Sequence, residues 1–240
     1  MSIYVSAALI PRDLSQDKLP DKNVVVIDVL RATTTLVTAL ENGAESVIPV
    51  ATPEEALEKK PSSSTEHVLL CGERGGIKCP GFDLGNSPRE YTSDRVAGKR
   101  IIFTSTNGSR MMLMAKPARR IFLGAFINGR ACAGRLADSG RDCLIACAGD
   151  NGRFSLEDAV CAGMIIEFLR ESAPSIALDD EAIAAEILYK AYAGDIPALL
   201  KNTVHGRRLA AIGFEEDLEF CAAENATDAL PVLMNGELIL

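Results

Sequence analysis

Residues 24–50 read VVVIDVLRATTTLVTALENGAESVIPV, and the fold class is decided here. VVVID (24–28) is a continuous apolar run ended by an acid, the pattern of a strand buried on both faces. ATTTLVTALENG (32–43) then reads as a helix closed by Gly43, and SVIPV (46–50) as the next strand. The unit of apolar run, polar turn and helical stretch recurs outward from this point. TPEEALEKK forms a helix capped by Thr52, with proline at its first position. HVLLC (67–71), KRIIFT (99–104), RRIFLG (119–124) and CLIACAG (143–149) are further strands, and a long helix runs from about Ser155 to Arg170. Such runs, bounded by helices, predict an α/β protein with a mostly parallel sheet covered on both faces, a three-layer α/β/α arrangement.

Residues 179–222 read as mainly helical, through EAIAAEILYKAYAG and HGRRLAAIGFEEDLEFCA. The tail LPVLMNGELIL places an Asn-Gly step between two apolar runs, a hairpin signal. KKPSSSTE (59–66) reads as a polar surface loop rather than a linker, because helix and strand patterns resume at once on both sides. We therefore expect a single domain over residues 1–240.

Composition narrows the function classes. Of the 240 residues, 48% are hydrophobic and 24% charged, as in a globular protein with a substantial core. The 25 Lys and Arg against 33 Asp and Glu leave a net charge of −8, which argues against nucleic acid and anionic membrane as partners. It does not argue against a small anion, since a few arginines can converge in one cleft. No run is long and apolar enough to span a membrane, and MSIYVSAALIPRD lacks a signal peptide's basic start and sustained apolar stretch, so we expect a cytoplasmic protein. The seven cysteines lack zinc-ligand spacing, and four of them (Cys71, Cys143, Cys147, Cys161) sit in apolar surroundings.

Three strands end in a turn with Asp or Asn followed three residues later by Arg: Asp28 and Arg31, Asn107 and Arg110, Asp150 and Arg153. Strand-to-helix turns collect such residues for conformational reasons alone. Three together favour a site, because ligands of open α/β sheets bind outside the carboxyl ends of the strands. Asp28 is a candidate metal ligand or catalytic carboxylate there. Arg31 offers a bidentate donor to phosphate or sulfonate, or an ion pair with Asp28. GERGG (72–76) adds Glu73 as a candidate Mg²⁺ ligand and Arg74 as an anion donor, and the long loop PGFDLGNSPRE adds Asn86. TSTNGSR (104–110) supplies Thr106, Asn107, Gly108 and Arg110, a composition suited to an oxyanion nest. In CAGDNGRFSLED (147–158), Asp150 and Arg153 are candidates, while Ser155 with Asp158 resembles a capping box. Cys147 to Arg153 also fits the C-x5-R loop of cysteine-dependent phosphatases, against which stand Ala146 in place of the usual histidine and the apolar run around the thiol. Asp28-Val29-Leu30 lacks the second acid of an aspartyl-nucleophile phosphatase. His205, beside Arg207 and Arg208, is the histidine of interest.

IDVLRATTT, GERGG, GFDLGNSP, STNGSR, LGAFIN, CAGDNGRFSLEDAVCAG and HGRRL with GFEEDLEFC occur in this order over residues 3–234. Together they resemble the 2-phosphosulfolactate phosphatases of coenzyme M biosynthesis. The resemblance implies a Mg²⁺-dependent hydrolase releasing phosphate from 2-phospho-3-sulfolactate, an α/β/α fold of two similarly built halves (about 1–118 and 119–240) and a homodimer. From the motifs themselves, Asp28, Glu73 and Asp150 are the expected metal ligands. Asp28, Arg31, Asp150 and Arg153 carry the chemistry. Arg74, Asn86, Thr106, Asn107, Gly108 and Arg110 hold the substrate. A phosphatase acting on another small phosphorylated acid, by metal or by Cys147, and a non-catalytic anion binder are the alternatives.

Overall fold

A computed structural model describes residues 2–60 and 67–240. In chain order the elements are β1 (Ile3–Ala8), β2 (Asn23–Ile27), α1 (Ala32–Glu41), β3 (Ser46–Pro49), α2 (Pro53–Lys59), β4 (Val68–Arg74), β5 (Ile77–Lys78), α3 (Ser93–Val96), β6 (Arg100–Thr104) and α4 (Gly108–Met114). There follow β7 (Arg120–Gly124), α5 (Gly129–Ser139), β8 (Cys143–Cys147), α6 (Leu156–Ser172), β9 (Ile176–Leu178), α7 (Asp180–Tyr192), α8 (Ile196–Asn202), α9 (Val204–Ala211), α10 (Glu215–Cys221), β10 (Val232–Met234) and β11 (Glu237–Ile239). Most of the surface loop expected at 59–66 lies outside the described residues.

The strands form one mixed sheet in the order β5-β4-β6-β3-β11-β10-β7-β2-β8-β1-β9. It consists of two parallel blocks, β4-β6-β3 and β7-β2-β8-β1-β9. The antiparallel β10–β11 hairpin lies between them, pairing with β7 on one side and β3 on the other. Asn235 (φ 53°) and Gly236 (φ 90°) make its turn, the left-handed pair that a two-residue hairpin requires.

The apolar run of β2 shows why the sheet is covered twice. Val25 and Ile27 pack into one core with α5, α6 and α7, whereas Val24 and Val26 pack into another with α1 and α4. Alternate side chains of a strand point to opposite faces, so a strand apolar at every position needs a helical layer on each. The three-layer α/β/α expectation is met. Strands β1, β5 and β9 had no apolar run to announce them: β1 reads IYVSAA and β9 only IAL.

Candidate active site

The turns that follow β2, β4, β6 and β8 meet beside α9. A cavity of about 270 Å³ lies there, lined by Asp28, Arg31, Glu73, Arg74, Asn86, Thr106, Asn107, Asp150, His205 and Arg208 among others. A larger hollow of about 740 Å³ lies where β7 meets the hairpin, but no carboxylate lines it.

Asp28 follows β2 and is only 5% exposed. One oxygen accepts from the Ala32 backbone N–H at 3.3 Å. Among the described residues it has no ion-pair partner. Burial pushes its pKa up to about 6; His205 opposes that rise, the neighbouring charge of Glu73 adds to it, and the backbone N–H groups of Ala32 and Gly108 oppose it. Gly108 explains how the turn after β6 comes so close. A Cβ there would sit 2.6 Å from Asp28 Oδ2 and 2.7 Å from the Ala32 methyl.

Glu73, at the end of β4, is held by three donors. It accepts from Gly76 N–H at 2.6 Å, Thr106 N–H at 2.7 Å and the Thr106 hydroxyl at 3.2 Å. It thereby ties the GERGG turn to the TSTNGSR turn. Arg74 is anchored through the Glu73 and Ala51 carbonyls and the Thr104 hydroxyl. Asn86 contributes a buried side-chain oxygen with no hydrogen-bond partner among the described residues, a polar group open to a ligand.

Arg31 is 2% exposed and does not pair with Asp28, the ion pair that stood as the alternative to anion binding. It donates to Asp217 Oδ2 at 2.6 Å and to the Gly76 carbonyl at 2.8 Å, and its guanidinium stacks 4.0 Å from the centre of the Phe214 ring. Ser87 donates to the other oxygen of Asp217 at 2.7 Å. Arg31 thus fastens α10 and the 80s loop over the cavity.

Asp150 and Arg153 form a tight hairpin turn, exchanging backbone hydrogen bonds in both directions across Asn151 (φ 52°) and Gly152 (φ 77°). The Arg153 side chain is exposed and does not line the cavity. Asp150 does, and Arg208 holds it with two donors at 2.8 and 3.1 Å. Burial alone would raise the Asp150 pKa, but Arg208 and the charge of His205 outweigh it and leave the carboxyl below its usual value. Arg110, exposed on α4, lines a separate small cleft with Pro11 and Met114. The recurrent spelling, Asp or Asn followed three residues later by Arg, therefore has three different structural outcomes.

Ser155 caps α6 by accepting from the Asp158 N–H, as expected. The Asp158 carboxylate turns elsewhere: it accepts from Val29 N–H at 2.9 Å and Gly149 N–H at 3.0 Å, bracing the ends of β2 and β8. Burial, with Asp28 and Glu157 nearby, pushes its pKa well up. Cys147 is fully buried within β8, and burial pushes its thiol well above the usual range. It lacks the exposure and thiolate character of a nucleophile. Arg208, Asp217, Ser87 and the pair of His205 Nδ1 with Glu157 Oε1 at 3.5 Å complete the surroundings. The sequence reading noted Arg208 only as a neighbour of His205 and gave Asp217 no role. The signal for both is spatial: they lie on helices far along the chain from the turns they bind.

Among the described residues, no three acidic, His or Cys side chains already surround one point at metal-ligand spacing. The donor set still fits Mg²⁺, which commonly takes one or two carboxylates and completes its shell with water and substrate phosphate. Asp28 is a buried carboxylate without a paired cation among the described residues, and Glu73 lies beside it.

Residues 8–236 match the family described as 2-phosphosulpholactate phosphatase. A protein of Thermotoga maritima named probable 2-phosphosulfolactate phosphatase is 46% identical over 219 residues, covering 91% of this chain and 92% of its own. Proteins of the same name from Caldanaerobacter subterraneus subsp. tengcongensis (44% identical; 91% and 90% covered) and Symbiobacterium thermophilum (41%; 93% and 96%) are similar throughout. With the match spanning nearly the whole chain and the cavity at its sheet edge lined by acids and arginines, the protein belongs to the 2-phosphosulpholactate phosphatase family.

Proposed function

We propose that the protein hydrolyses the phosphate monoester of 2-phospho-3-sulfolactate to 3-sulfolactate and phosphate, with Mg²⁺ as cofactor. The observation that carries the reading is Asp28: a buried carboxylate, unpaired among the described residues and beside Glu73, in a cavity also lined by Arg31, Arg74 and Arg208. A pure anion binder has no reason to bury a carboxylate against its ligand, whereas a site for a cation and an anion together does. Asp28 and Glu73 would hold the metal, which when bound offsets phosphoryl charge. Arg74 and Arg208 would orient the phosphate, sulfonate and carboxylate of the substrate. Thr106, Asn107 and the close-set Gly108 backbone would line the phosphoryl side, with Asn86 donating or accepting from across the cavity. Arg31, committed to Asp217, acts by holding the wall of the site rather than as a free donor, and Asp150 acts by fixing Arg208. Phosphoryl transfer depends chiefly on such positioning and charge stabilisation.

The seven cysteines are unpaired, which supports a reducing, cytoplasmic setting. A homodimer is the assembly we expect, and sedimentation of the purified protein tests it. The test of function is phosphate release from 2-phosphosulfolactate with Mg²⁺ and after EDTA. Release that requires Mg²⁺ supports the reading. Turnover only of another phosphorylated acid removes the substrate assignment, and tight metal-independent binding without turnover replaces the enzyme by an anion binder.

A further inference from the structure

Glu157 sits in the first turn of α6 and is 2% exposed. Its Oε1 has no hydrogen-bond partner among the described residues. A buried carboxylate oxygen left open is costly, and native structures rarely keep one without use. The group it faces is the His205 imidazole, whose Nδ1 lies 3.5 Å from that oxygen. His205 stands in the first turn of α9, which is capped by the Thr203 hydroxyl accepting from Gly206 N–H. Its side chain is largely buried, yet it lines the same cavity as Asp28, Glu73 and Arg74. With Nδ1 turned to Glu157, Nε2 is the ring nitrogen left for a ligand.

We propose that His205 is the general acid of this hydrolysis and that Glu157 is its positioning residue; the proposal rests on the phosphatase reading above. The substrate's leaving group is a secondary alkoxide, a poor leaving group unless it gains a proton as its bond to phosphorus breaks. Water oxygen forms the new P–O bond. The ester P–O bond breaks and leaves its electron pair on the substrate oxygen. The imidazolium proton on Nε2 passes to that oxygen, and the proton lost by the attacking water restores the imidazolium through solvent. Glu157, its Oε1 3.5 Å from Nδ1, fixes the ring through this charge pair, which leaves Nε2 to the substrate. The charged groups facing the ring are Glu157 from α6, Asp28 after β2, Asp150 after β8 and Arg208 one helical turn along α9. Asp28 and Asp150 have other tasks in the site. Glu157, aimed at Nδ1, has no other partner among the described residues.

The experiment compares wild type with His205→Gln, His205→Asn and Glu157→Gln on two esters, 2-phosphosulfolactate and a nitrophenyl phosphate. The nitrophenolate leaves without needing a proton. We expect His205→Gln and His205→Asn to lose kcat on the alkyl ester by about 10²–10⁴-fold, with KM little changed. On the aryl ester the loss is less than about tenfold, which also shows that the variants are folded. Glu157→Gln should lose about 10–100-fold, again selectively on the alkyl ester, a pattern that a role in helix packing would not produce. Equal losses on both esters, or wild-type kcat in the His205 variants, overturn the proposal alone. A wild type that releases phosphate from neither ester overturns the phosphatase reading and this proposal with it.

Discussion

Arg31 and Asp217 lie 186 positions apart in the chain and meet through a 2.6 Å hydrogen-bonded ion pair that water hardly reaches. One residue opens α1 at the carboxyl end of β2; the other belongs to α10. Ser87 and the Gly76 carbonyl share the pair, and Arg89 with Glu216 adds a second link between the 80s loop and α10. The C-terminal helices are therefore part of the site wall.

Removing one partner of a buried pair leaves the other charged and unsolvated. Arg31→Ala or Asp217→Ala should each lower unfolding free energy by about 3–5 kcal/mol, measured by urea denaturation. The double variant Arg31→Met with Asp217→Leu should recover most of that stability while phosphatase activity stays low. Stability and activity would then separate, because Arg31→Ala loses the hold on Gly76, Asp217→Ala the hold on Ser87, and the double variant both.

Asp28 gives the opposite sign. Its pKa rises from 3.8 in the unfolded chain to about 6 in the folded one. The folded state binds this proton more tightly, so its contribution to stability falls as pH climbs from about 4 to 6 and is level above that. Asp28→Asn should remove the penalty. We expect the metal-free variant to be more stable than wild type at pH 7, by on the order of 1–3 kcal/mol, and nearly inactive. Thermal melts with and without Mg²⁺ check this: the metal should raise the melting temperature of wild type and leave Asp28→Asn unmoved.

Gly108→Ala places a methyl 2.6 Å from the Asp28 carboxylate and 2.7 Å from Ala32. Something must shift. The cost to stability should be about 1–3 kcal/mol, typical of overpacking. The fall in kcat/KM should exceed about tenfold, since the displaced group is Asp28 itself. Steady-state kinetics alongside a denaturation curve separates the two effects.

Cys147 is buried in β8 with its thiol pushed well up. Cys147→Ser should retain activity within a few-fold, lose about 1–3 kcal/mol of stability for the hydroxyl it buries, and remain sensitive to EDTA. EDTA-resistant turnover abolished by the substitution would put the cysteine-dependent mechanism in place of the metal-dependent one.

Much of the fold was legible because parallel strands buried on both faces are apolar at every position, as VVVI, IIF and CLIAC are. Helix caps at Thr52 and Ser155 and the Asn-Gly hairpin could be read locally for the same reason: the chemistry involves residues within four positions of each other. Strand β1 escaped because Ser6, Ala7 and Ala8 are small residues that fit a crowded sheet without forming an apolar run. Within the site, Asp28, Glu73, Arg74 and Asp150 were legible from their place at strand ends. The role of Arg31 was not, since its partner stands on a helix near the other end of the chain. Arg153 shows the limit of motif reading: Asp-Asn-Gly-Arg is a site-like spelling, yet its spacing closes a two-residue turn whose arginine points to solvent.

The hairpin of residues 232–239 sits in the middle of the sheet although it is encoded after every other strand. During synthesis on the ribosome, β3 and β7 each wait with an unsatisfied edge until these residues emerge. The two parallel blocks can form early, but the continuous sheet that fixes the turn after β6 against the turn after β2 cannot. The site is assembled last, and a nascent chain stalled before residue 232 should carry most of the fold and no turnover.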